Sequence, residues 1–208
     1  MLARRCVLET GYNTALLSCE QSVNSCAFVL IETDKDRKGS GFFVGMGGQN
    51  YVVSNQHVIM GARAFSVQMM DGTRVRLTGM EVARDVDLVR FRFDHKGLGK
   101  CEPLSAVNSS PQIGEKVVVY GNSMGAGAFT KLSGSVLAVG PERIEVSARF
   151  VPGNSGSPIL NNRGEVLAVA SYLQQVGADS PIYEGTRLNR VRRFGLLVTC
   201  LLYTSDAA

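Results

Sequence analysis

Short apolar runs broken by small polar turns dominate the sequence, and several follow the two-residue period of a half-buried strand. In "DLVRFRF" (87–93), Val89, Phe91 and Phe93 are apolar while Arg90 and Arg92 are charged. That alternation predicts one face toward a core and one toward water. The runs fall into two groups. The first comprises 25–32, 40–45, 51–55, 64–70, 74–83 and 87–93; the second comprises 116–121, 130–140, 143–149, 157–160, 165–172 and 182–188. Turn signals such as "GMGGQN", "MDGT" and "NNRG" separate them. "KCEPLSAVNSSPQIGE" forms an irregular connector between the groups.

Six strands, a connector and six more strands predict an all-β fold: two six-stranded antiparallel β-barrels packed side by side, each closing its own edges. Helix is expected in two places only, a single turn after His57 ("VIMGA") and the tail around 187–199. The expected division is an N-terminal extension (1–22), a first barrel (23–100), the connector (101–115), a second barrel (116–190) and the start of a C-terminal helix (191–199). No repeat of solenoid period interrupts this plan.

Composition narrows the classes of function. The 208 residues are 45% hydrophobic and 19% charged, enough for a real core. The net charge of +4 is concentrated in "RLNRVRRF" (187–194). No aromatic residues alternate with these basic ones, so the run reads as a solvated helix face rather than a nucleic-acid platform. No apolar stretch approaches the ~18 residues of a membrane span. The five cysteines (Cys6, Cys19, Cys26, Cys101, Cys200) form no metal-ligand spacing. An odd number excludes a complete intramolecular disulfide framework; a Cys19–Cys26 bridge and free, partly buried thiols both stay open. "MLARR" resembles the charged start of a signal peptide, but "CVLETGYNTALLSC" is a poor apolar continuation. "CLLYTSDAA" (200–208) resembles translated adapter sequence and is expected to be a non-native tail, with the natural chain continuing differently past about Thr199.

Three segments carry candidate chemistry. Of the two histidines, His95 lies in a charged, Gly-rich turn and reads as exposed, whereas His57 stands at the lip of an apolar strand in "YVVSNQHVIMGA". In "RDVDLVRFRF" the period places Asp85 and Asp87 on the buried face, where a carboxylate needs a partner such as an imidazole N–H. Asp87 abuts the apolar run; Asp85 reads as part of the entering turn. In "FVPGNSGSPIL" (150–160), Gly153 permits a backbone bend that turns N–H groups inward, Gly156 permits close approach of a second segment, and Pro158 stiffens the exit. A serine there becomes a nucleophile only with a base, an orienter for that base and donors for the oxyanion. "GNSMGAGAF" (121–129) lacks the Gly-Lys-Ser/Thr ending of a phosphate loop.

The order His, Asp, Ser is that of chymotrypsin-type enzymes. "GSGFFVG", "YVVSNQHVI", "DVDLVRF" and "VPGNSGSPILNNRGEVLAVASY" together resemble the blocks of trypsin-like serine proteases of the HtrA-related bacterial type. The resemblance implies a serine endopeptidase acting on extended or unfolded polypeptides. Ser155 would be the nucleophile, His57 the general base and Asp87 its orienter. The backbone of Gly153, Asn154 and Ser155 would form the oxyanion hole, with the N–H groups of Gly153 and Ser155 aimed at one spot. "ASYL" (170–173) matches the substrate-pairing strand, so Ser171, Tyr172 and Leu173 would bind peptide, with Tyr172 walling the specificity pocket. Arg149 matches the pocket-floor position and would favour acidic substrates; a solvent-facing or salt-bridged arginine is the plain alternative. Ser157 stands where many relatives have glycine. The resemblance further implies a periplasmic or secreted location, a trimeric assembly, no cofactor and no metal. A latent peptide-binding module and a serine esterase are the competing functions.

Overall fold

A computed structural model of the chain describes residues 25–96, 99, 101–176 and 190–201. Strands form where the period-two runs predict them. The N-terminal lobe contains β1 (Phe28–Thr33), β2 (Lys38–Met46), β3 (Gln49–Ser54), β4 (Phe65–Met69), β5 (Leu77–Val82) and β6 (Val89–Phe93). One helical turn, α1 (Gln56–Ile59), follows β3. The C-terminal lobe contains β8 (Lys116–Gly121), β9 (Thr130–Val139), β10 (Arg143–Val146), β11 (Pro158–Leu160), β12 (Val166–Val176) and β13 (Arg190–Leu197). Between them, β7 (Leu104–Ser105) runs parallel to β2.

The all-β, two-lobed architecture is as the pattern predicts, but the lobes close differently. The second lobe is a closed barrel in the order β10-β13-β12-β11-β8-β9. The first is a curled sheet, β4-β1-β2-β3-β6-β5, whose end strands share no ladder; only an isolated Gln68–Arg74 bridge lies near the seam.

Three apolar clusters hold this shape. Phe43, Val52, Val67, Val89 and Phe91 fill the first sheet, while Val119, Val136, Ile144, Ile159 and Leu167 fill the barrel. The third cluster lies between the lobes, where Phe42, Val53 and Leu88 meet Leu160, Val169, Leu196 and Leu201. Across the same boundary Phe28 stacks between Tyr120 and Phe129, with ring centroids 5.1 and 5.5 Å away. Stacked pairs of this kind add about 0.5–1.5 kcal/mol each beyond area burial. The lobes are thereby fixed against each other, and with them the side chains at their junction.

Several expectations are corrected here. The segment 191–199, expected to begin a C-terminal helix, is mostly the strand β13. Its partners β10 and β12 need that strand to close the barrel, and tertiary pairing overrides the local helical reading. The expected strand 182–188 lies outside the described residues. At the start of the segment expected to be a non-native tail, Leu201 is fully buried between the lobes, and its carbonyl accepts a hydrogen bond from Arg90. Arg90 itself is not on a wet face. It is 7% exposed, paired with Glu81 and seated over the Tyr51 ring. Alternation fails there because strand β5 supplies a carboxylate that makes the buried guanidinium tolerable. The disulfide joins Cys26 to Cys101, so Cys26 does not pair with Cys19. It ties the entry of β1 to the connector, a pairing between distant segments that residue spacing does not encode. Cys200 is free.

Candidate active site

The strand β3 ends in Ser54, and the next three residues build the first half of the site. Asn55 donates from Nδ2 to the Asp87 carbonyl at 2.8 Å. Gln56 donates from Nε2 to the carbonyls of Ala83, Val86 and Leu88. These two amides clamp the bend that precedes β6. His57, inside α1, then meets Asp87 twice: its backbone N–H donates to Oδ1 at 2.9 Å, and ring Nδ1 lies 2.5 Å from Oδ2. Asp85 is exposed and lies in the bend, so it does not share a buried face with Asp87. The strand alternation ends at Val89, where β6 begins.

Asp87 accepts a further hydrogen bond, from Ser171 Oγ at 2.9 Å. Burial alone raises its pKa. The hydrogen bonds and charge of His57 and the Ser171 hydroxyl outweigh that, and hold the carboxyl below its ordinary range. With Nδ1 on Asp87, the other ring nitrogen of His57 is left for a different partner.

The second half is the loop 150–157. Gly153 has φ +91° and Gly156 φ +86°, both in the region that glycine alone enters freely. A Cβ at Gly156 would lie 1.9 Å from the Ser40 carbonyl of β2, which is the close approach its neighbours in sequence anticipate. Ser40 is the contact between this loop and the first lobe. Its N–H donates to the Ser155 carbonyl at 2.8 Å and its Oγ to the Gly153 carbonyl at 2.9 Å, while Asn122 N–H donates to that same Oγ. On the other side, Met124 N–H donates to the Pro152 carbonyl at 2.8 Å.

Both peptide units flanking Gly153 are therefore pinned by their carbonyls. Across a trans peptide the N–H points opposite to the C=O, so the Gly153 N–H faces away from Met124. Neither the Gly153 nor the Ser155 N–H has an acceptor among the described residues. Asn154 differs: its N–H donates to the Val151 carbonyl at 3.0 Å. It is committed to the turn and is withdrawn from the oxyanion hole expected of 153–155.

The Ser155 hydroxyl donates to the Ser171 carbonyl at 3.2 Å, not to His57. Ser171 thus touches both halves, Asp87 through its hydroxyl and Ser155 through its carbonyl. Sequence reasoning assigned Ser171 to peptide binding and missed its bond to Asp87. It also missed Ser40, Asn55 and Gln56, although "GSG" and "SNQH" mark them as polar residues set among apolar ones.

Tyr172 stacks on Phe194 and receives a hydrogen bond from Arg143. It borders a cleft of about 340 Å³ that also includes Val86, Asp87 and Glu142. Leu173 pairs with Arg193 in the β12–β13 register, one residue along and so on the opposite face of the sheet. Tyr172 therefore lies on the face of the sheet opposite Arg193. His95 is exposed, with its ring against Phe93.

A family model for the trypsin-like peptidase domain matches residues 39–169, from the start of β2 into β12 beyond Ser155. The chain belongs to the trypsin-like peptidase family. Among curated relatives, it is 27% identical over 178 residues to a serine protease Do-like HtrA of Bacillus subtilis, covering 79% of this chain and 38% of that protein. It is 32% identical over 148 residues to a probable periplasmic DegP-like serine endoprotease of Hahella chejuensis, covering 65% and 29%. The chain thus spans well under half the length of these relatives. The fold of this trypsin-like chain is similar to that of a serine endoprotease from Yersinia pestis: TM-score 0.66, 22% identity, 86% of this chain and 61% of that one. It is likewise similar to an inactive form of the Rv3671c protease of M. tuberculosis, with TM-score 0.65, 21% identity and 95% of both chains covered.

Proposed function

We propose that this domain is a serine endopeptidase that cleaves extended polypeptide through Ser155, His57 and Asp87. The observation that carries the reading is the connected chain His57–Asp87–Ser171–Ser155, next to two backbone N–H groups without acceptors among the described residues. A rotation about the Cα–Cβ bond of Ser155 takes its hydroxyl from the Ser171 carbonyl toward the free nitrogen of His57. His57 then accepts the hydroxyl proton as Oγ attacks the substrate carbonyl. Asp87 holds the ring in the required tautomer and stabilises the imidazolium. The Gly153 and Ser155 N–H groups receive the developing oxyanion. His57 returns the proton to the leaving amine, and water repeats the sequence on the acyl-enzyme.

Substrate would bind as an added strand. Beyond Ala170, β12 has β13 on one edge and no strand on the other among the described residues. Its exposed backbone groups fit pairing with an extended peptide.

The Ser155–Ser171 hydrogen bond favours a second reading, a latent resting state in which peptide binding and turnover separate. An oxidising location outside the cytoplasm is supported by the Cys26–Cys101 disulfide and by the probable periplasmic relative of Hahella chejuensis named above.

Hydrolysis of unfolded casein by wild type and by Ser155→Ala tests the reading. The expected loss of turnover is on the order of 10⁴- to 10⁶-fold. Equal rates for the two proteins would refute it.

A further inference from the structure

Two arginines come together around the Phe150 carbonyl, near Ser155, and among the described residues neither has a carboxylate partner. Arg193 pairs across the sheet with Leu173, two residues beyond the Ser171 carbonyl that receives the Ser155 hydroxyl. From there its Nε donates to the Phe150 carbonyl at 2.9 Å and its Nη1 to the Val191 carbonyl at 3.3 Å. Phe150 lies five residues ahead of Ser155 and turns its ring into the barrel core, where it is 2% exposed. Its carbonyl is thus free to hold Arg193, and Arg149 stands immediately before it, exposed.

These contacts set two segments side by side, joined by Ser155 and Ser171 at one end and by Arg193 and Phe150 at the other. One segment is 149–153, leading to Ser155, and the other is Ser171–Leu173. Arg193 bridges from the second segment to the first. An arginine carries five N–H donors in a rigid fork. Two are taken by carbonyls, which orient the guanidinium without neutralising it. Among the described residues neither Arg149 nor Arg193 forms an ion pair, whereas Arg90, Arg92, Arg163 and Arg192 each have a glutamate. Burial and the repulsion of Arg149 both lower the Arg193 pKa, so the two cations act on each other. Among the described residues no carboxylate compensates this pair, and an anion would relieve it.

We infer that the space between these segments takes the side chain preceding the scissile bond, and that Arg193 with Arg149 selects aspartate or glutamate there. The inference rests on the endopeptidase reading, since that reading puts the scissile bond at Ser155. A carboxylate entering between the segments meets the free edge of the Arg193 fork and the charge of Arg149. Charge-assisted pairing to a partly desolvated guanidinium separates glutamate from its neutral isostere glutamine.

The test has two arms. In the first, wild type is assayed on peptides identical except for Glu, Gln, Val or Lys before the cleaved bond. The expected kcat/KM for Glu exceeds that for Gln by about 10- to 100-fold. Arg193→Ala brings the Glu/Gln ratio near one, and Arg193→Glu shifts the preference to Lys. Circular dichroism confirms that both variants fold.

In the second arm, fluorescent peptides ending in Glu or Gln are titrated against folded Ser155→Ala, which needs no turnover. Tighter binding of the Glu peptide, weakened by salt, supports the inference. Wild type that labels with a fluorophosphonate yet cleaves after Val at least as well as after Glu overturns the specificity and leaves the endopeptidase reading standing. Wild type that neither labels nor cleaves overturns the endopeptidase reading, and the specificity falls with it. Equal binding of the two peptides to Ser155→Ala overturns the charge recognition in either case.

Discussion

Ser40 Oγ, fully buried in β2, donates a hydrogen bond to the Gly153 carbonyl at 2.9 Å and so lets the first lobe set the backbone beside Ser155. The same oxygen accepts from the Asn122 N–H at 3.0 Å. One hydroxyl therefore serves a buried and a partly buried backbone group on two segments of the other lobe.

Ser40→Ala leaves both groups without that partner, at a cost of about 1–3 kcal/mol each. The Gly153–Asn154 peptide then loses its anchor, and the neighbouring N–H its fixed aim. The expected kinetic signature is a fall in kcat of about 10- to 100-fold with little change in KM, because an oxyanion contact is stronger in the transition state than in the bound substrate. Steady-state kinetics on one peptide substrate check this. A rise in KM at constant kcat would place Ser40 in substrate binding instead.

Gly156→Ala tests the close approach of the two lobes. The new methyl would lie 1.9 Å from the Ser40 carbonyl and 2.4 Å from Ser54 Oγ, at a φ of +86° that side chains rarely adopt. A loss of stability of about 2–4 kcal/mol is expected, seen as a lower midpoint in urea denaturation. A midpoint unchanged from wild type would mean the loop is free to move away from β2.

Asp87 links pH to stability. Its carboxyl is held below the ordinary range, so the folded state favours the ionised form more than the unfolded chain does. The resulting stabilisation is present above the unfolded pKa, near 3.8, and is lost as pH falls through the lower folded value. In Asp87→Asn this contribution is missing. The difference in Tm between wild type and Asp87→Asn should therefore be largest near neutrality and shrink as pH drops from about 5 to about 2. A difference constant over that range would mean the His57 and Ser171 contacts do not favour the ionised carboxyl.

Much of this was legible in the sequence, for physical reasons that can be named. β8 runs from Lys116 to Gly121, as its apolar run does, because a β-branched segment between turn residues has few other options. His57, Asp87 and Ser155 stood out as candidates because each sits at a break in pattern, where a polar group adjoins an apolar run. The misreadings share a cause as well. Arg90 looked exposed by alternation, and only the pairing of β5 with β6 supplies the Glu81 that buries it. β13 looked helical because its identity as a strand lies in its neighbours β10 and β12. The commitment of the Asn154 N–H to Val151 depends on turn geometry that composition does not specify. Contacts between distant segments decide each of these.

The most direct measurement is the site of modification by a fluorophosphonate probe. The folded domain is incubated with the probe, digested, and mapped by mass spectrometry. The account predicts one adduct, on Ser155, formed quickly by wild type and about 10³-fold more slowly or not at all when His57 is replaced by alanine. An adduct on another serine, or labelling of Ser155 that proceeds equally without His57, would contradict it.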